Sequence, residues 1–410
     1  MKTAIVLSGG GGRGAYQIGV WKALRKLGIH YDIVTGNSVG ALNGILMVQH
    51  DYQQAFKIWS NIDYNFVFNK EVARVDEAIY VKYIKEFVKE GGMDITNLEK
   101  AVELFFDKER FYSSEVDFGI VVYNLSQGKG EFFTKKDLKP EMIRDYVIAS
   151  ATCYPAFKIK KINNKKYIDG GYYDNMPINL AIDLGADKII AVDLKAPGFK
   201  RKIKDKSKDI VHITPNNDIG SFLKFDKDIS RRNIKYGYND TMKVFGKLIG
   251  TKYTFYKSLS HLFINRIEIK FDSNIDKYLN NNHNNMLDKI KMLLPKMILN
   301  SEKLKGDSTI LNTMEFLGDV FKLDDSKIYC LPQYNYLLKR AFKKIPEVNE
   351  SLIKEKLNKK DFDSLLGSKY IVKYIYQILK ATDKYNDVYP LMPIFKKEFL
   401  AAIYLISIGG

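Results

Sequence analysis

Thr3-Ala4-Ile5-Val6-Leu7-Ser8-Gly9-Gly10-Gly11-Gly12-Arg13-Gly14 is an apolar, β-prone run that ends in a string of glycines. The run reads as a strand. The stretch behind it, Ala15–Leu27, spaces Ile18, Trp21, Leu24 and Leu27 at helical intervals. Tyr31–Val34 reads as a second short strand and Val39–Gln49, rich in small residues, as a second helix. That order predicts parallel strands joined by right-handed crossovers, with helices on both faces. A site in such a sheet lies at the carboxyl ends of the strands. Here those ends are the glycine string and Thr35-Gly36-Asn37-Ser38-Val39-Gly40.

Working outward, residues 51–112 are rich in aromatics and charges, with helical patterns over Glu77–Lys89 and Leu98–Phe106. They read either as outer helices or as a cover over an apolar cleft. Asp117–Leu125 reads as a buried strand, turned by Ser126-Gln127-Gly128-Lys129-Gly130 into Glu131–Thr134 as a hairpin. Met142–Ala151 is a helix stopped by Pro155, and Lys165–Ile168 a strand that stops at Asp169-Gly170-Gly171. Ile178–Leu184, with Gly185 as its cap, leads to a strand at Lys188–Leu194, and Asp209–Thr214 is a further strand. From about residue 251 the texture changes: asparagine and lysine rise, with a run at Asn280-Asn281-Asn282-His283-Asn284-Asn285, and helical spacing dominates. Leu337, Leu338, Ala341 and Phe342 show it, as do Ile371, Tyr374, Ile375 and Leu379. We expect an α/β domain over 1–250 and a mainly helical region over 251–410.

A hydrophobic fraction of 46% gives ample core material. Cys153 and Cys330 fit no metal spacing and give no reason to expect an oxidising compartment. Met1–Leu7 has too short an apolar stretch for a signal peptide. Phe399–Ile408 is about half of the ~20 residues a membrane span needs. The expectation is a cytoplasmic protein without a transmembrane helix. The formal charge of +17 is the strongest bulk signal, densest at Lys200-Arg201-Lys202-Ile203-Lys204-Asp205-Lys206-Ser207-Lys208. That run reads as a solvated loop or as a contact with anionic lipid headgroups, which attract each nearby basic residue by about 1 kcal/mol. No nucleic-acid motif accompanies the charge, so peripheral contact with an anionic membrane is expected and nucleic acid is not. Nothing in the sequence sets the oligomeric state.

Two segments can carry chemistry. Gly36-Asn37-Ser38-Val39-Gly40 is Gly-x-Ser-x-Gly between a strand and a helix, the context of a strained, exposed nucleophile with a helix N-terminus behind it. Gly9, Gly11 and Gly14 also match G-x-G-x-x-G, the dinucleotide fingerprint. That reading wants an acid at the end of the second strand, whereas Asp32 falls near its start. A phosphate-binding P-loop is excluded because Ala15, not lysine, follows Gly14. A nucleophilic serine needs a base. Of His30, His50, His212, His261 and His283, only the last three follow a plausible acid; none of those three sits in a glycine-supported loop, and His212 reads as a core residue of its strand. Asp169 ends a strand beside Gly170 and Gly171, and so can bring a carboxylate to the same sheet edge as Ser38. Taken alone, Asp-Gly-Gly is equally an ordinary turn.

The ordered set resembles the patatin-like phospholipases: Gly10–Gly19, Thr35–Gly44, Ala149–Pro155, Asp169–Pro177 and Ile219–Thr241 all look like that family's blocks. The resemblance covers roughly residues 1–250, and Val39 departs from the alanine or isoleucine more usual after the serine. It implies a three-layer α/β/α sandwich with a mostly parallel sheet, acting on lipid or phospholipid esters. It further implies a Ser38–Asp169 dyad in which Asp169 takes the serine proton directly. The backbone N–H groups of Gly10, Gly11 and Gly12 would stabilise the oxyanion, each by about 3 kcal/mol. Gly9, Arg13, Gly14, Gly36, Gly40, Gly170 and Gly171 would support those loops, Arg13 as a brace. No metal and no cofactor is implied. A nucleotide-binding module and a catalytically silent lipid-binding protein are the alternatives.

Overall fold

Every residue of the first strand, β1 (Thr3–Leu7), is buried from Ala4 on, because its two faces feed two separate cores. Ile5 and Leu7 join Trp21, Leu24 and Ile45 on one side, while Ala4 and Val6 join Ile178, Ala181 and Met176 on the other. A strand covered on both faces has no polar side to present, which is why it reads as a continuous apolar run. The computed structural model describes residues 1–68, 92–280 and 307–349, together with 351, 353, 355–356, 359, 364–381, 391–392 and 394–410. They divide into two units, Met1–Phe245 and Gly246–Gly410.

In the first unit the other strands are β2 (Ile33–Gly36), β3 (Asp117–Asn124), β4 (Lys129–Thr134), β5 (Lys160–Ile162), β6 (Lys165–Asp169), β7 (Lys188–Val192) and β8 (Asp209–Ile213). β3, β2, β1, β7 and β8 run parallel in that order, while β4, β5 and β6 are antiparallel additions at the β3 side. Helices lie on both faces: α1 (Ala15–Lys26), α2 (Val39–Val48), α3 (Tyr52–Asn61), α4 (Tyr64–Val67), α5 (Thr96–Phe105), α6 (Lys108–Ser113), α7 (Ile143–Ser150), α8 (Ile178–Asp183) and α9 (Lys227–Val244). The result is an α/β/α three-layer arrangement on a mostly parallel sheet.

One detail of the topology positions everything that follows. β4 pairs with β3 from Gly119 to Asn124 and so occupies one whole edge. β2 and β6 must therefore share the other: Gly36 of β2 lies opposite Ile120 and Asp169 of β6 opposite Val122. β2 runs parallel to β3 and β6 antiparallel, so their carboxyl ends meet head to head.

Three expectations need correction. β2 begins at Ile33 and runs to Gly36, two residues later than the apolar run suggested, because its register follows Ala4–Leu7 of β1. A strand not foreseen, β5 (Lys160–Ile162), pairs with Lys165–Tyr167 of β6 as a hairpin through Asn163 and Asn164, both at positive φ; its Lys-rich sequence hid it. His212 is exposed, not a core residue, because β8 is the edge strand of the sheet.

The second unit contains, among the described residues, the helices α10 (Lys257–Asn280), α11 (Asp307–Val320), α12 (Leu331–Lys343), α13 (Lys369–Lys380) and α14 (Lys396–Ser407). They pack around Phe271, Leu317, Leu338, Ile375 and Phe395. A small sheet, which the helical spacing did not disclose, joins β9 (Leu248–Ile249), β10 (Thr254–Tyr256) and β11 (Ile328–Tyr329). No described helix in either unit is long and apolar enough to cross a membrane.

Candidate active site

Ser38 sits where β2 turns into α2, with φ 54° and ψ −126°. A serine held there stores about 1–3 kcal/mol of backbone strain, so the surroundings must enforce it. They do so by close approach. A Cβ on Gly36 would lie inside contact distance of the Gly40 carbonyl, and one on Gly40 would press on the Leu7 carbonyl of β1. The Asn37 N–H donates to Leu7 O (3.1 Å) and the Ser38 N–H to Ser150 Oγ (2.9 Å). Ser38 thereby stands at the N-terminal turn of α2, whose dipole favours negative charge.

The head-to-head ends of β2 and β6 bring Asp169 beside Ser38, both under a tenth exposed. Asp169 Oδ1 accepts from the Gly171 N–H (2.7 Å) and from Asn37 Nδ2 (3.0 Å). Burial pushes the Asp169 carboxyl above its usual range; the Gly171 N–H, the Ser38 hydroxyl and the Asn37 amide pull in the opposite direction. The second Asn37 N–H reaches Asn175 Oδ1 (2.9 Å), which also accepts from the Gly9 N–H (3.1 Å). One hydrogen-bonded chain thus ties the glycine loop to the carboxylate.

The loop itself is clamped from outside. Arg13 donates from Nε to Gly220 O (2.7 Å) and from one terminal nitrogen to Lys195 O (2.9 Å) and Leu194 O (3.2 Å). A guanidinium fork suits this task better than an ammonium because its donors are fixed in one plane. Gly14 accepts from Asn43 Nδ2 (3.1 Å). Gly10 and Gly11 line the cavity in front of Ser38, and their N–H groups have no hydrogen-bond partner among the described residues. Gly12 departs from the expected set. Its N–H donates to Phe222 O (2.7 Å) and it does not line the cavity, because the 219–225 segment crosses over it.

The cavity, about 350 Å³, has a polar end at Ser38, Asp169 and the glycine loop and is otherwise walled by apolar side chains such as Trp59, Phe66, Leu98, Phe105, Phe157 and Phe225. Part of the 51–112 stretch therefore forms its wall; Glu77–Lys89 lies outside the described residues. No histidine is among its described lining residues. Cys153 lines it too, but burial and the nearby Asp169 push its thiol up to about 12, so it stays protonated at neutral pH. The dinucleotide reading finds no support. β2 ends at Gly36 rather than at an acid, and Asp32 accepts the Thr3 N–H on the far side of the strand.

Sequence reasoning left Asn37, Ser150 and Asn175 without roles. The signal was present only as position: Asn37 adjoins Ser38, and Ser150 and Asn175 lie in two of the motif blocks. Their chemistry depends on contacts across 112 and 138 residues, which no local spacing encodes.

Residues 5–182 match the family described as Patatin-like phospholipase, so the first unit carries a patatin-like phospholipase domain. Among individual proteins, the chain is similar to "Lysophospholipase nte1" of Aspergillus terreus, 29% identical over 195 residues, 46% of this chain and 12% of that protein. It is also similar to "Patatin-like phospholipase domain-containing protein 7" of Rattus norvegicus, 25% identical over 193 residues, 47% and 13% of the two chains. The chain thus spans about an eighth of the length of these curated relatives. Among solved structures, VipD from Legionella pneumophila aligns over 100% of this chain and 91% of its own, at 14% identity and a TM-score of 0.41.

Proposed function

We propose that the chain is a serine lipid acyl hydrolase of the phospholipase A or lysophospholipase type, cleaving carboxylic esters of glycerolipids. The observation that carries this reading is the meeting of Ser38, on its strained turn, with the buried Asp169 at the polar end of an apolar cavity. The family match and the lysophospholipase named among the relatives support the same class.

In the proposed reaction an acyl chain occupies the apolar part of the cavity and the ester carbonyl lies between Ser38 and the glycine loop. Ser38 Oγ attacks the carbonyl carbon while Asp169 takes the hydroxyl proton. The resulting oxyanion accepts from the N–H groups of Gly10 and Gly11, each contributing about 3 kcal/mol. Collapse breaks the ester C–O bond, and the departing alcohol takes the proton from Asp169. Water then attacks the acyl-enzyme with Asp169 again as base, releasing the fatty acid and restoring the Ser38 hydroxyl. A carboxylate with an ordinary pKa near 3.9 is a weak base at neutral pH; the upward push from burial brings Asp169 closer to its task. Residues 1–250 would form the hydrolase domain and 251–410 an appended region, working in the cytoplasm and peripherally at anionic membranes.

The test is hydrolysis of a medium-chain fluorogenic ester by the wild type and by Ser38→Ala, with calcium chelated. Activity that disappears in the variant supports the serine hydrolase. Equal activity in both, or none in either, favours the silent lipid-binding reading or another nucleophile, and fluorophosphonate labelling of Ser38 separates those two.

A further inference from the structure

In the second unit a cleft of about 670 Å³ opens between α10, α12 and the end of α14. Arg266 and Lys270 enter it from successive turns of α10 and Lys339 from α12. No acidic residue is among its described lining residues, and none of the three cations makes an ion pair among the described residues. Amides stand beside them. Asn335 is buried, and its Oδ1 is held by the Tyr404 hydroxyl (2.8 Å), which leaves the Nδ2 donor for the cleft. Ser407 is buried as well, accepting from Asn274 Nδ2 (2.9 Å) and donating to Ile403 O (2.8 Å). Ile267 and Ile406 add an apolar shoulder.

Such a lining works against the bare fold. Like charges four residues apart on a helix repel, as Arg266 and Lys270 do. The carboxyl end of α14, Lys396–Ser407, offsets them with only about half an elementary charge of the opposite sign. The described lining of the cleft thus brings three cations and several hydrogen-bond donors into one concavity without a carboxylate. Glu268 and Asp272 alternate with Arg266 and Lys270 along α10, but neither is among the cleft's described lining residues.

We infer that this cleft binds a phosphate group, either free or carried on a lipid. Phosphate fits because it offers several acceptor oxygens to diverging donors, and Arg266 can meet it with two parallel N–H groups. The inference does not depend on the proposed hydrolase reading, since every residue it uses belongs to the second unit.

The test uses the full chain with two probes: inorganic pyrophosphate followed by calorimetry, and flotation with phosphatidylcholine vesicles that contain or lack phosphatidic acid. The site variant is Lys270→Gln with Lys339→Gln. The control, Lys344→Gln with Lys397→Gln, removes the same charge from exposed positions of the same unit. Expected is saturable wild-type binding that the site variant weakens about tenfold or more and the control leaves within about twofold. Binding of pyrophosphate without vesicle flotation identifies a free phosphate compound as the ligand; flotation that requires phosphatidic acid identifies a lipid headgroup. Equal weakening by both variants would reduce the effect to bulk charge and overturn the site. So would a wild type that binds neither probe at millimolar concentration, a result independent of how the variants fold.

Discussion

Asn37 Nδ2 donates to Asp169 Oδ1 across 3.0 Å, from the residue next to the proposed nucleophile. The same amide holds Asn175, so the carboxylate is oriented by the turn that presents Ser38. Asn37→Ala removes a donor that favours the charged carboxylate and frees Asp169 to rotate. We expect kcat on a soluble ester to fall at least about tenfold, within the ~10²–10⁴ that general-base catalysis supplies. The acid limb of the pH profile should also move upward. A loss of rate with an unmoved limb would assign Asn37 a purely structural part.

The wild-type pH profile carries its own prediction. Asp169 must be ionised to take the Ser38 proton, and burial raises its pKa. The rate should therefore fall as pH drops through a midpoint above the ordinary carboxylate value of about 3.9. Asp169→Asn should lose about 10²-fold or more across the whole range. An acid limb at or below the ordinary value, with Asp169→Asn fully active, would remove Asp169 from the chemistry.

Gly40 and Gly128 give a contrast in stability. A Cβ on Gly40 would press on the β1 backbone at Leu7, where no side chain can move aside, so Gly40→Ala should destabilise by more than about 3 kcal/mol or prevent folding. Gly128, at φ 64° in the β3–β4 turn, has open space around it, and Gly128→Ala should cost about 1 kcal/mol. Thermal unfolding of the two variants checks the ranking; comparable losses would mean that the β1 backbone at Leu7 yields to the added methyl.

These contrasts mark how far the sequence could be read. β1, the Ser38 turn and Asp169 were legible because a strand buried on both faces, a glycine-flanked serine and a strand-ending Asp-Gly-Gly each leave a local pattern. The use of the Gly12 N–H by Phe222 left none, since the two residues lie far apart in sequence and meet only when the 219–225 segment folds over the loop. The β5–β6 hairpin was hidden for a different reason. Its exposed lysines satisfy solvent, and the pairing is carried by backbone bonds and the two asparagines at positive φ. The shared edge of β3 was equally invisible, although it alone explains why Ser38 and Asp169 meet.

Asp174 supplies the last prediction. It is fully buried; Oδ1 accepts from the Met176 N–H (3.2 Å), while Oδ2 has no hydrogen-bond partner. Burial pushes its carboxyl up to about 6, against the pull of the Met176 and Arg201 N–H groups and the Arg201 charge. Because the folded pKa lies above the unfolded one, the native state binds more protons than the unfolded chain between about pH 4 and pH 6. Stability from this group is therefore present at low pH and lost as pH rises through that window, by at most about 3 kcal/mol. Asp169 contributes with the same sign, so the wild-type slope alone does not isolate Asp174. Asp174→Asn keeps the shape and cannot ionise, and its unfolding free energy should depend less on pH across the window than that of the wild type. Denaturant unfolding at several pH values measures the difference. Parallel curves for the two proteins would show that Asp174 is ionised in the fold at no free-energy cost, its charge balanced by the Arg201 guanidinium.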